Sequence, residues 1–117
     1  MREADIILTP VPQADGQVKH RPALVLREMP RYHDLSVCGI STQLHQYVEG
    51  FDERIVATDA DFAASGLAAD SIIRLGFLAV VPRHRIAGAI GSISSERHRR
   101  SLYTLSAYLT AQQEASR

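Results

Sequence analysis

The 117-residue chain predicts a mainly β fold with a single α-helix: a compact, strongly bent sheet or small barrel closed by a C-terminal helix. Three observations carry this expectation. Short β-rich runs recur from Ile6 to Ile93, punctuated by prolines and glycines. A helical period appears only after Ser94, and no internal repeat or low-complexity stretch interrupts the series. The length fits one domain over residues 1–117, large enough to bury a core without disulfides.

The elements follow in order. Ile6–Leu8 opens a strand expected to end at Pro10 and Pro12, because proline cannot donate to a ladder. Residues 13–19, with Asp15-Gly16 inside, read as a turn or loop. Ala23–Leu26 and Leu35–Ile40 are strands separated by a connector holding Pro30, and Arg54–Ala57 adds a short one. Asp59–Asp70, small, acidic and containing Gly66, reads as a loop with one helical turn. Ser71–Leu75, Leu78–Val81 and Ile86–Ile93 complete the strands. Leu102, Leu105 and Leu109 then form one stripe of a helix, with Ser94 or Ser95 as N-cap and Glu96 in the first turn.

Composition narrows the function classes. With 45% hydrophobic and 22% charged residues the chain has the makeup of a soluble globule. Its one cysteine, Cys38, forms no internal disulfide, so the default expectation is a cytoplasmic protein. No apolar stretch approaches the roughly 18 residues of a membrane span, and the first residues lack the layout of a signal peptide. Thirteen basic residues balance thirteen acidic ones, which argues against a nucleic-acid binder working by bulk charge. The balance is uneven, however: residues 49–70 hold six acids and one base, and residues 83–100 hold five arginines and one acid. A solvated face gives the same bias, so charge permits an RNA partner without indicating one.

The stretch VKHRPALVL, residues 18–26, sets Lys19, His20 and Arg21 before an apolar run. Pro22 biases Arg21 towards extended geometry, so the cations stand at the entrance of a buried strand, a rigid mount. After the next apolar strand come Ser41, Thr42 and Gln43. Two hydroxyls and an amide beside a guanidinium make a set able to hold one phosphate, since a guanidinium fork matches phosphate geometry. Taken alone, the local sequence around Arg21 favours a plainer reading, Arg21 as a surface ion-pair partner and His20 as an exposed histidine, and it is the second polar cluster that points to a phosphate site.

With these residues in hand, the chain resembles the MazF/PemK family of toxin endoribonucleases. ADIILTPVP matches its opening strand, HRPALVL its second and VCGISTQ its third, followed by GLAADSIIRL and a final helix. The likeness spans about residues 4–110. It implies an SH3-like barrel with a C-terminal helix, a homodimer, metal-independent cleavage of single-stranded RNA, and neutralisation by a cognate antitoxin that covers the RNA groove. By the same resemblance Arg21 matches the key arginine, Ser41 the key threonine and Thr42 the second hydroxyl, while Arg74 matches an arginine that some members use. Ser41 stands where the family has threonine, Gly39 where it has proline, and Gly76 where some members have an acid. An acidic residue in the first loop of some relatives has an offset counterpart in Asp15.

The chemistry so implied is attack of the RNA's own 2′-hydroxyl on the adjacent phosphate, giving a 2′,3′-cyclic phosphate. Arg21 would stabilise the phosphorane charge, with Ser41 and Thr42 on the phosphoryl oxygens. A guanidinium stays charged and is a poor proton shuttle, so the base and acid must come from elsewhere. His20, Asp15 and His45 are the candidates, and the sequence does not choose among them. A rival reading keeps the fold and makes the groove a non-catalytic binding module for peptide or RNA.

Further contacts to RNA are expected from Lys19, Gln43, His45, Tyr47, Arg74, Arg83 and Arg85. Tyr47 and Phe51 are suited to stacking on bases or to a small core under their loop. The RHRR run at residues 97–100 reads as solvated surface or as a track along an RNA backbone. The five histidines lack the paired spacing of metal ligands, so neither a metal site nor another cofactor is expected. Cys38 reads as a buried, inert thiol.

Overall fold

A computed structural model describes residues 1–12 and 14–111. The strands are β1 (Asp5–Pro12), β2 (Val18–Glu28), β3 (Leu35–Ser41), β4 (Glu53–Ile55), β5 (Ser71–Val81) and β6 (Gly88–Ser92). The helices are a single turn, α1 (Phe62–Ser65), and the terminal α2 (Ser95–Thr110). All six strands form one antiparallel sheet in the order β4-β5-β3-β2-β1-β6. The mainly β expectation with one long C-terminal helix is met. No helix among the described residues is long and apolar enough to cross a membrane.

Strand β2 explains how the sheet is buried on both faces. Its apolar run alternates: Leu24 and Leu26 join one core with Ile6, Cys38, Ile40, Ile73, Leu75 and the helix residues Leu102 and Leu105. Ala23 and Val25 join a second, smaller core with Ile7, Leu35 and Val37. Cys38 has no exposed surface, and burial pushes its thiol up to about 12, consistent with an inert side chain. Leu102 and Leu105 pack as the leucine stripe predicts, but Leu109 is 66% exposed, a turn beyond the sheet's reach. Ser94 caps α2, its Oγ accepting from the Arg97 amide at 3.1 Å.

Several strand boundaries depart from expectation: β2 begins at Val18, inside the stretch read as a loop over residues 13–19, because Val18 and Lys19 pair with Pro12 and Val11, and three others have their own physical reasons. β1 runs on through Pro10 and Pro12, because β6 pairs only with Asp5–Leu8 and leaves the rest of β1 as an edge that tolerates missing donors. β6 begins only at Gly88, after a 3-10 turn over Arg83–Arg85. The two strands expected around Gly76 are one strand, β5, with a bulge. Arg74 pairs with Gly39 and Leu78 with Cys38, so Leu75, Gly76 and Phe77 have no partner on β3. The Leu75 amide is instead satisfied by the buried Asp52, whose Oδ1 accepts it at 3.2 Å while Oδ2 accepts from Val48. The bulge also changes parity. Ile73 and Leu75 enter the main core, with Arg74 on the opposite face; past the bulge, the odd-numbered Phe77, Ala79 and Val81 take that opposite face.

The uneven charge has an intramolecular cause. Arg97, 8% exposed, forks onto Asp61 through Nε and Nη2 at 2.9 and 3.0 Å, and also donates to Glu53, Asp59 and the Arg54 carbonyl. Arg100 donates twice to Glu53. Two of the five arginines of residues 83–100 are thus neutralised by the acidic segment, and Arg97 neither faces solvent nor is free for RNA. Beneath this network Gly66 ends α1 at φ +74°, and a side chain there would collide with the Ile90 backbone, so only glycine lets α1 lie against β6.

Candidate functional site

On the sheet face opposite α2, β1, β2, β3 and β5 curl around a cleft of about 880 Å³. Its floor is apolar, made in part by Ala23, Val37 and Val81 at the edge of the second core. Its polar wall is built from strand ends. Arg21 shares its face of β2 with Ala23 and Val25, and so projects into the cleft. Arg74 enters from β5, and Arg85 from the 3-10 turn after it.

Ser41, Thr42 and Gln43 leave the end of β3 at the rim. Ser41 Oγ accepts from the Gln43 amide at 3.0 Å, a local turn that holds the three residues together. Because the oxygen receives that bond through a lone pair, the Ser41 proton is left to donate to a ligand. Across the cleft Thr9 donates from Oγ1 to the Arg21 carbonyl at 3.4 Å, tying the arginine's backbone to β1.

Six of the residues singled out in the sequence therefore line one cleft: Arg21, Ser41, Thr42, Gln43, Arg74 and Arg85. Three of them are arginines, and among the described residues no carboxylate lines the cleft. In a chain of zero net charge this is a concentrated positive site.

The remaining sequence candidates lie elsewhere. His20 and Lys19 are exposed on the outer part of β2, with His20 on the alternate face from Arg21. Asp15 sits in the β1–β2 turn, where it accepts from the Gln17 amide. His45 is exposed in the 3-10 turn Leu44–Gln46. None of the three proposed proton carriers lines the cleft. Arg83 points away, bonded to Glu28 and to the carbonyls of His33 and Met1. The Tyr47 ring is covered by the Arg54 guanidinium at 4.2 Å, and Phe51 packs on the main core with its ring 5.2 Å from that of Tyr108.

Sequence reasoning missed Thr9, the α1–β5 connection at Gly66–Ala69, and Phe77, all of which line the cleft. Only Phe77 left a trace: it falls in the gap between the two strands expected around Gly76, an aromatic with no strand to belong to.

A family profile described as PemK-like, MazF-like toxin of type II toxin-antitoxin system matches residues 2–109. Among solved structures, the Mycobacterium tuberculosis toxin MazF-mt6 is similar with a TM-score of 0.65 at 17% identity, covering 93% of this chain and 99% of that one. At that identity the likeness speaks for the fold, the MazF-like half-barrel with a C-terminal helix. No curated protein sequence matches the chain.

Proposed function

The chain belongs to the PemK-like, MazF-like toxin family of type II toxin–antitoxin systems, and from that premise we propose that it is a metal-independent endoribonuclease of the cytoplasm acting on single-stranded RNA. The observation that carries this reading is the cleft itself: three arginines with the Ser41 and Thr42 hydroxyls and the Gln43 amide around an apolar floor, and no carboxylate among the described residues to repel a phosphodiester. In the reaction the substrate supplies its own nucleophile, the 2′-hydroxyl, and the P–O5′ bond breaks as the P–O2′ bond forms. Arg21 and Arg74 offset the charge of the phosphorane, and the free Ser41 proton with the Thr42 hydroxyl holds its oxygens. The proton leaving O2′ and the one reaching O5′ pass through a carrier outside the cleft wall, for which His20, His45 and Asp15 are the candidates.

Purified protein incubated with a long single-stranded RNA should cut it equally with and without EDTA and leave 2′,3′-cyclic phosphate ends, read by mapping the termini. Loss of cutting in EDTA with rescue by magnesium would sink the mechanism. The placement of all three proton carriers outside the cleft wall favours one rival, a groove that binds RNA or peptide without cutting it. Tight RNA binding without any cleavage is the result that selects it.

A cognate antitoxin, occupying the same cleft, is the protein partner in this reading. The active form is a homodimer, the commonest symmetric assembly, which doubles the surface available to grip several nucleotides. Light scattering at micromolar concentration should return twice the 12.9 kDa chain mass, and a clean monomer would count against the dimer.

A further inference from the structure

Phe77 is an aromatic ring left 63% exposed in the middle of the cationic cleft. Its position is built rather than incidental. The Asp52 carboxylate takes the Leu75 amide, which secures the bulge Leu75–Phe77, and the bulge turns Phe77 back over β3. There the ring occupies the space above Gly39: a Cβ at residue 39 would lie 2.7 Å from Phe77 Cδ2. The Arg74 guanidinium carbon stands 5.1 Å from the ring centroid, a cation–π contact that fixes the ring beside a phosphate-binding group. Leaving so much aromatic surface in water has a cost that stacking with another flat ring would recover.

We propose that Phe77, seated over Gly39 and backed by Arg74, is the platform on which a base of the bound RNA stacks. The inference rests on the RNA-cleaving reading above and adds to it a residue that positions the strand and influences which base lies beside the cut. The two aromatics that the sequence offered for stacking are already engaged, Tyr47 under Arg54 and Phe51 packed on the core, and the exposed Tyr32, Tyr103 and Tyr108 do not line the cleft. Charge favours RNA over an apolar peptide as the occupant, because a cation stands beside the ring and no acid among the described residues lines the cleft.

The test uses full-length protein and an uncleavable 2′-O-methyl RNA of mixed sequence carrying 2-aminopurine at successive positions. One position should change fluorescence on binding, as an adenine analogue does when it stacks. Phe77→Trp should keep tight binding, whereas Phe77→Ala and Phe77→Leu should bind about tenfold more weakly and lose the signal, since leucine retains apolar bulk without a π face. On cleavable RNA the same two variants should relax base preference next to the cut. Circular dichroism should find all three folded, as expected for an exposed ring. If Phe77→Ala and Phe77→Leu bind with wild-type affinity and signal, the ring serves a protein partner or nothing, and the proposal is overturned while the RNA reading stands. If wild-type protein neither binds nor cuts RNA, both fall.

Discussion

Arg21→Ala should lower RNA cleavage on the order of a hundredfold or more, the effect of removing one electrostatic stabiliser of a transition state. Arg21→Lys should recover little of it, because a point charge does not reproduce a planar fork on two phosphoryl oxygens. Both variants should melt close to the wild type. The Arg21 side chain is exposed, and the bond from Thr9 reaches its backbone carbonyl, which any residue provides. Ser41→Ala should also slow the reaction, since it removes a hydroxyl whose proton the local turn leaves available, and Ser41→Thr should preserve it. Initial rates on a defined RNA, paired with thermal melts, check all four. A folded Arg21→Ala that cuts at the wild-type rate would return Arg21 to ordinary surface and remove the basis of the mechanism.

Arg97→Met should destabilise the protein by about 3–5 kcal/mol, because it strands the Asp61 carboxylate, largely shielded from water, without its counter-charge and leaves the shielded Glu53 with Arg100 alone. For a chain of this length that corresponds to a melting temperature lower by roughly 10–20 °C. Adding Asp61→Asn should recover part of the loss, so that the double variant is less damaged than the sum of the singles.

Acid should reproduce the effect in the wild type. The Arg97 hydrogen bonds hold the Asp61 carboxyl down from its ordinary value of 3.8 to about 2. A depressed carboxylate stabilises the fold fully above pH 4 and loses that contribution as pH falls towards 2, by about 2 kcal/mol. Urea unfolding at pH 5 and pH 2 should register the loss in wild type and far less of it in Arg97→Met. Equal acid sensitivity in the two would assign the pH dependence to other groups.

What the sequence disclosed was whatever local pattern determines. The apolar run of β2, the third strand with its hydroxyl cluster and the capped helix with its leucine stripe are all written in neighbouring residues, and each is found where that pattern puts it. Arg21 and Ser41–Gln43 were legible for the same reason, since they stand at the ends of those strands. Arg74 was placed only by family resemblance; nothing in its own segment marks it.

The bulge was hidden because its cause, Asp52, lies 23 residues before the amide it satisfies. The charge pairing was hidden in a related way. The bias of each segment was plain, but that Arg97 would reach Asp61 depends on α2 folding back across the sheet. Gly39, a departure from the family's proline, becomes intelligible only once Phe77 is seen lying over it.

The pairing of β1 with β6, Asp5 opposite Ser92, together with the Arg97 network, bears on how the chain folds as it is synthesised. The first strand waits for nearly the last one, a topology of high contact order in which local contacts arrive early and closing contacts late. A nascent chain stopped before β6 would leave Ile6–Leu8 with an open sheet edge, and one stopped before Arg97 would leave Asp61 and Glu53 unneutralised. The closed fold therefore needs both β6 and the Arg97 segment to have been made. Chains stopped short of those segments should expose apolar surface and an unpaired strand edge, the features that proteases and chaperones recognise.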